Sequence, residues 1–261
     1  MRKYLQFLKY AFKEQLQYRA NFLASICTMV FSDACFVVIF IIFLWYFTNT
    51  WLTLGNFLVI FWISCTWYGI VHGLLVNISK MPEIIEKWKL DYYLSFPIKP
   101  LNFLAFTNID VTCLWDIVFG TICLSIYAFS FAGIPVWIVL LKGLIIISLS
   151  SIIVLWIYTA VWSISFWLQK WSKIQELFVV IFLSFAQYPP EIYEWNRIVY
   201  ILMCLLIFPW IILPYKMMTW TPSLIQRIIL IWFAMLIPLI WIRIFKRGLK
   251  RYSSWNLVHQ M

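Results

Sequence analysis

The chain has 261 residues, of which 64% are hydrophobic, 21% aromatic and only 11% charged, with a net charge of +10. That balance excludes a soluble globular domain, and at about 20 residues per span the length holds roughly six membrane crossings with short connections. The positive charge points to anionic lipid at the inner membrane face rather than to nucleic acid.

Residues 2–19 carry Arg2, Lys3, Lys9, Lys13 and Arg19 among Leu5, Leu8, Phe12 and Leu16 at helical spacing. Residues 1–20 therefore read as an amphipathic helix lying in the inner interface. The first span is predicted over 21–47. It is too long for a signal-peptide core, and no small-residue cleavage pattern follows it. A short polar turn at 48–55 lies outside, and the second span, 56–79, returns to the cytoplasm.

Residues 80–100 break the apolar pattern. They carry Lys80, Glu83, Glu86, Lys87, Lys89, Asp91 and Lys99, and the lysine excess places them in the cytoplasm. Pro82 suits a first helical turn, Glu83 and Glu86 favour the N-terminal end, and Ile84, Ile85 and Trp88 share one apolar face. A short helix is expected over 82–90. It is either a lever for a soluble partner or a helix resting on the lipid surface. Pro97 and Pro100 end regular structure before the third span, 101–131. Gly133 and Pro135 mark an outer turn, the fourth span covers 136–168, residues 169–173 form a basic inner turn, and the fifth span runs over 174–187.

Residues 188–221 begin with a polar stretch. The apolar piece that follows, 198–213, is short and broken by Pro209, with Pro214 just beyond. A crossing here would move the basic C-terminal tail outside, so 198–220 is read as a hairpin re-entering from the outer face. The last span is 223–245. Of the twenty Lys and Arg residues, all but Lys142, Arg197, Lys216 and Arg227 then fall on the inner side, a strong positive-inside bias. The expected fold is an all-α integral membrane protein: one transmembrane domain over 1–261 with six transmembrane helices and both termini cytoplasmic. It has an interfacial helix (1–20), a cytoplasmic loop (80–100) and an outer re-entrant segment (188–221).

Chemistry-bearing motifs are missing. The sequence contains no GxxxxGK[ST], no HExxH and no GxSxG, so no ATPase, zincin or serine-hydrolase site is assigned. His72 and His259 are the only histidines. They exclude a His-rich metal site; His259 is read as solvated and His72 as an internal hydrogen-bonding residue. The six cysteines lie in apolar runs without a CxxC pair and read as packing residues. No catalytic residue and no metal ligand is assigned. Asp33, Asp110 and Asp116 lie at membrane depth, where acids face the bundle or a wet cavity. They are candidates for lining a pathway or binding a cation; packing against Ser, Thr or Asn of a neighbouring helix is the alternative. Asp110 and Asp116, six apart, point about 120° away from each other on a helix and are not a dyad.

Four segments carry a resemblance. They are Tyr18-Arg19-Ala20-Asn21-Phe22; Leu90-Asp91 with Leu94, Pro97 and Pro100-Leu101; Pro189-Pro190 with Ile192-Tyr193 and Phe208-Pro209; and Gly248-Leu249-Lys250-Arg251-Tyr252 with Ser254. In this order the chain resembles the transmembrane permease subunit of a type-2 ABC exporter, in a small bacterial branch with a separate ATPase and often two dissimilar permeases. One departure is Lys89, where the branch usually has Gly before the Leu-Asp pair. The resemblance implies a bacterial inner-membrane protein forming half of an ATP-driven export pathway, paired with a second permease, same or dissimilar. It implies two copies of a cytoplasmic ATPase that carry ATP and Mg²⁺, with no cofactor on this chain. It also implies that Glu83, Ile84, Ile85 and Trp88 contact the ATPase, and that Asp91, Pro97 and Pro100 belong to an inner gate.

Three other readings compete. A single-chain secondary transporter calls for an internal repeat or paired broken helices at mid-depth, and the sequence shows one broken segment near the outer face. A membrane enzyme acting on lipid-linked substrates calls for clustered acids, bases or metal ligands, whereas the acids are scattered along the sequence. A membrane assembly or immunity factor would need no transport at all.

Overall fold

The computed structural model describes residues 2–17, 19–46, 53–97, 99–168, 171–193, 196–201, 208–219 and 223–252. Helices account for the described secondary structure, and no strand occurs among the described residues. The N-terminal helix α1 (Arg2–Gln17) is followed by α2 (Arg19–Tyr46), so both segments are helical where the sequence reading expects helices. Next comes α3 (Leu54–Tyr68), with Thr53 Oγ1 accepting from Asn56 N at 3.3 Å as the N-cap. It runs into a π-helical turn at Gly69–Leu74 and a single turn α4 (Val76–Ser79). The polar loop holds α5 (Met81–Glu86) and α6 (Leu90–Leu94). Then follow α7 (Pro100–Phe106), α8 (Leu114–Ser130), α9 (Val136–Ser163) and α10 (Trp171–Ala186). The chain ends with α11 (Leu213–Thr219) and α12 (Leu224–Arg251).

Four helices among the described residues are long and apolar enough to cross a membrane: Arg19–Ile42, Leu54–Leu74, Val136–Phe166 and Leu224–Arg251. The centre of the bundle is α3. Two thirds of its apolar window (67%) is buried by neighbours, against 6% for α2, whose sides face outward. In lipid such packing rests on close van der Waals contact rather than on water exclusion, so small residues mark the crossings. Where α8 lies along α3, a Cβ on Gly69 would come within 2.6 Å of Ile117 Cγ1, and one on Gly120 would collide with Thr66 Oγ1. Both glycines let the helices approach.

The structure corrects three expectations. The third span is not one helix over 101–131. It is α7 and α8 with an irregular stretch at 107–113 between them. The reason is local: Asp110 Oδ1 accepts from Thr112 N at 3.1 Å and from Thr112 Oγ1 at 2.6 Å, an Asx-type turn that competes with the helical ladder. The 82–90 helix also divides, ending at Glu86 and resuming at Leu90. The last span does not stop at 245. Its helix continues to Arg251, so the basic cluster is helical. It starts with a capping box: Ser223 Oγ accepts from Gln226 N at 3.3 Å, and Gln226 Oε1 accepts from Ser223 N at 3.1 Å.

The helix at the expected fifth span is short. Sixteen residues of α10 reach about 24 Å, less than a typical hydrocarbon core. After it, Pro190–Tyr193 form a 3-10 turn and residues 197–201 are helical. The tip of the expected re-entrant hairpin, 202–207, lies outside the described residues. The segment that follows begins with a π turn at Phe208–Ile212 and continues as α11. This segment is deeply packed, with Ile211, Ile212, Leu213 and Tyr215 at most 1% exposed. Ser150 Oγ of α9 donates to Trp210 O at 2.5 Å.

Candidate functional site

The polar loop is latched to the bundle. Met81, Ile84 and Ile85 on α5 are buried (0%, 7% and 7% exposed) in the chain's own core. The Glu86 carboxylate accepts from Ser172 N at 2.7 Å and from Ser172 Oγ at 2.6 Å. It thereby caps the N-terminal turn of α10, where a negative charge meets free N–H groups and the positive end of the helix dipole. Gln175, one turn further on, donates its side-chain amide to Ser79 O. Two hydrogen-bonded bridges thus tie the loop and the end of the second span to the start of α10.

The break between α5 and α6 has a defined geometry. Trp88 has φ 58, in the left-handed region. Lys89 N donates to Ile84 O at 3.0 Å and Trp88 N to Ile85 O at 3.2 Å, the paired bonds of a Schellman C-cap. Glycine is the usual residue there; a tryptophan costs about 1–2 kcal/mol of backbone strain. The Trp88 ring packs on Tyr252 at the end of α12, with centroids 5.9 Å apart, and Tyr252 also meets Phe166 at 6.2 Å. Burial, together with the nearby Asp91 carboxylate, raises the Tyr252 phenol above its ordinary range. Lys89 itself has φ −69, outside the left-handed region, so its side chain there carries no left-handed strain.

The sequence-predicted coupling residues therefore separate. Glu83 stays at the surface, paired with Lys87 Nζ at 2.6 Å. The hydrogen bond from the Lys87 ammonium holds the Glu83 carboxyl below its ordinary value. Trp88 is half-buried at the α12 junction. Ile84 and Ile85 point inward, and the area expected to cover a partner is already covered by the chain itself. At the expected gate, Asp91 sits on α6, Pro97 is exposed and Pro100 opens α7. Phe103 of α7 holds this loop by ring contacts to Phe96 (4.8 Å) and Tyr93 (5.6 Å).

The three membrane acids also separate. Asp110 lies in the 107–113 break, where its N–H donates to Gly73 O at 2.8 Å. This break is clamped from α1: Gln15 donates its amide to Ile109 O at 2.5 Å and accepts from Val111 N at 2.8 Å. The sequence reading did not mark Gln15, and it marked Glu86 only as favouring the start of a short helix. The only signal for the break was the run of Thr, Asn and Asp at 107–112, whose side chains compete for backbone hydrogen bonds.

Asp33 and Asp116 come together instead, from α2 and α8, with Cys65 of α3 between them. One ligand-type atom from each lies within 4.8 Å of the other two. They line a cavity of about 130 Å³ with Phe36, Tyr68 and Gln187. Trp115 Nε1 donates to Asp33 Oδ2 at 3.0 Å. Asp116 is 7% exposed, and its Oδ2 has no hydrogen-bond partner among the described residues. Spacing along the sequence hid the cluster, because its members sit 32 and 51 positions apart. As expected, His72 is an internal hydrogen-bonding residue, 3.4 Å from the Tyr158 hydroxyl and stacked on Tyr68 at 4.3 Å.

Four long apolar helices around a packed centre, with a latched polar loop at one end, mark a multi-pass helical membrane protein. Comparison with protein-family models matches residues 29–255 to the family described as ABC-2 family transporter protein. That match covers most of the sequence, and the chain belongs to this family, as a permease component of an ABC transporter. No curated protein and no solved structure matches the chain.

Proposed function

We propose that this chain is one of two permease subunits in an ATP-driven exporter of a bacterial inner membrane. A separate cytoplasmic ATPase, present in two copies and carrying ATP and Mg²⁺, docks beneath the 81–94 loop. The observation that carries this reading is the Glu86–Ser172 latch, which joins that loop to the inner end of α10. A push on α5 would move α10 and, through Trp88 and Tyr252, the end of α12. Glu83 and Trp88 are the proposed ATPase contacts, while Ile84 and Ile85 transmit the force inward. Asp91, Pro97 and Pro100 form the inner gate, and Asp33, Asp110 and Asp116 lie along the pathway. The proposed topology has six crossings, two of them built from short or broken helices, with both termini cytoplasmic and 198–220 re-entering from outside. The second permease, identical or dissimilar, covers outward-facing helices such as α2.

The test is co-purification of the tagged chain in mild detergent with its ATPase, with ATP turnover assayed on the product. A Glu83→Lys/Trp88→Ala variant should lose the ATPase and the turnover. A wild-type chain that purifies alone and without turnover would overturn the coupling. A second reading, a single-chain secondary transporter, is favoured by the broken segments at 69–74 and 107–113. It predicts transport driven by an ion gradient in vesicles that hold this chain alone.

A further inference from the structure

We propose that Asp33, Cys65 and Asp116 form a binding site for a divalent transition-metal ion of zinc-like softness, inside the membrane-spanning bundle. Two carboxylates meet with no Lys or Arg among the residues lining their cavity. Cys65 lies eleven residues beyond Leu54 on α3, about 16 Å along the helix and so near mid-bilayer depth. Unpaired acids at that depth carry a large desolvation cost, which a bound cation removes. Asp116 supplies the sharpest sign: it is more than nine-tenths buried, it lines the cavity, and its Oδ2 is unpartnered among the described residues.

The donor set selects the ion. Two hard carboxylate oxygens and one soft sulfur suit a borderline ion such as Zn²⁺. Mg²⁺ and Ca²⁺ demand six or more oxygens, and Cu⁺ prefers softer ligands throughout. Cys65 is a free thiol, so its sulfur is available on deprotonation. Trp115 Nε1 holds Asp33 by Oδ2, which fixes the carboxylate and leaves its other oxygen for the ion. Three protein ligands leave one position for water or cargo. The cavity volume of about 130 Å³ holds roughly four waters, well below the ~300 Å³ at which pockets begin to enclose a drug-sized cation. It suits an ion and its waters, not a large organic substrate.

The test uses the full chain, stripped of metal in detergent and titrated with Co²⁺ as a spectroscopic stand-in for Zn²⁺. A thiolate-to-cobalt charge-transfer band should appear, with d–d bands of tetrahedral intensity, and Zn²⁺ should displace both. Cys65→Ser should abolish the charge-transfer band, while Cys27→Ser and Cys35→Ser should keep it. Asp116→Asn should weaken Co²⁺ binding by at least about tenfold. This variant removes an unpaired buried charge, so it should stay monodisperse on size exclusion without metal; Asp33→Asn provides the same reading from the other carboxylate. A wild-type protein that shows no band, or a band that survives Cys65→Ser, overturns the proposal and leaves a protonated carboxyl pair in its place. The titration needs no ATPase, so its outcome is separate from that of the coupling experiment.

Discussion

Glu86→Ala is the sharpest probe of how the polar loop at 81–94 is attached. In the folded protein the Glu86 carboxylate receives two hydrogen bonds from Ser172, at 2.7 and 2.6 Å. Bonds to a charged acceptor contribute about 1.5–3 kcal/mol each when buried, but both residues are half-exposed, and water replaces part of what is lost. Helix-cap removal sets the more suitable scale, about 0.5–2 kcal/mol. We expect Glu86→Ala to cost about 1.5 kcal/mol and Ser172→Ala, which removes only the hydroxyl bond, about 1 kcal/mol. The double variant should fall short of the sum by about 0.5–1 kcal/mol, because the two residues share one contact. SDS titration of the protein in mixed micelles, followed by far-ultraviolet circular dichroism, measures all three. Strict additivity would show that the two side chains do not meet, and the latch would be withdrawn. The ATP turnover of the assembled transporter gives a second readout. If the latch transmits motion, Glu86→Ala lowers transport per ATP hydrolysed while ATPase binding persists.

Three more expectations follow from the same geometry. Trp88→Ala and Trp88→Gly both remove the ring from Tyr252, but only glycine suits φ 58; the Gly variant should be more stable than the Ala variant by about 1 kcal/mol in the same SDS titration, and the reverse order refutes the left-handed cap. Gln15→Glu keeps the acceptor for Val111 N but turns an oxygen toward Ile109 O. Hydrogen exchange over 107–113 should then speed up at least about fivefold, the equivalent of losing ~1 kcal/mol of protection; unchanged exchange would show that α1 does not clamp the break. The Glu83 carboxyl is held below its ordinary value of 4.5 first by its hydrogen bond from Lys87. A lowered folded pKa means stability that is present above pH 4.5 and lost as pH falls through the folded value, here no more than about 0.5 kcal/mol because the pair is exposed. Carboxyl-carbon NMR should show the Glu83 midpoint rising in Lys87→Met, and a midpoint that stays put would mean the pair is not formed.

Much of the scaffold was legible because hydropathy is a one-dimensional signal. The starts of α2, α9 and α12 agree with the sequence reading to within two residues. The polar loop at 80–100 stood out because charge is rare elsewhere in the chain. Other features were misjudged where a local hydrogen bond overruled hydropathy. The apolar run after Leu101 promised one helix, yet Asp110 and Thr112 pair with each other and break it. Ile84 and Ile85 looked like a face for a partner because spacing gives a face but not its orientation; the bundle had already buried them. The capping box at Ser223, which the sequence reading did not use, fixes where α12 begins.

Composition and the sign of charge at each loop by themselves determined that this is a multi-pass helical membrane protein, since burying so much apolar surface leaves no soluble alternative. They also marked residues 80–100 as the polar loop of the chain. Only the tertiary structure decided which polar groups meet. Asp33, Cys65 and Asp116 come from three helices, and Glu86 reaches Ser172 across 86 positions. Such encounters are set by how helices cross, and crossing depends on small residues such as Gly69 and Gly120 that let backbones approach. Hydropathy records how deep a residue lies along its own helix. It carries no record of which other helix stands beside it.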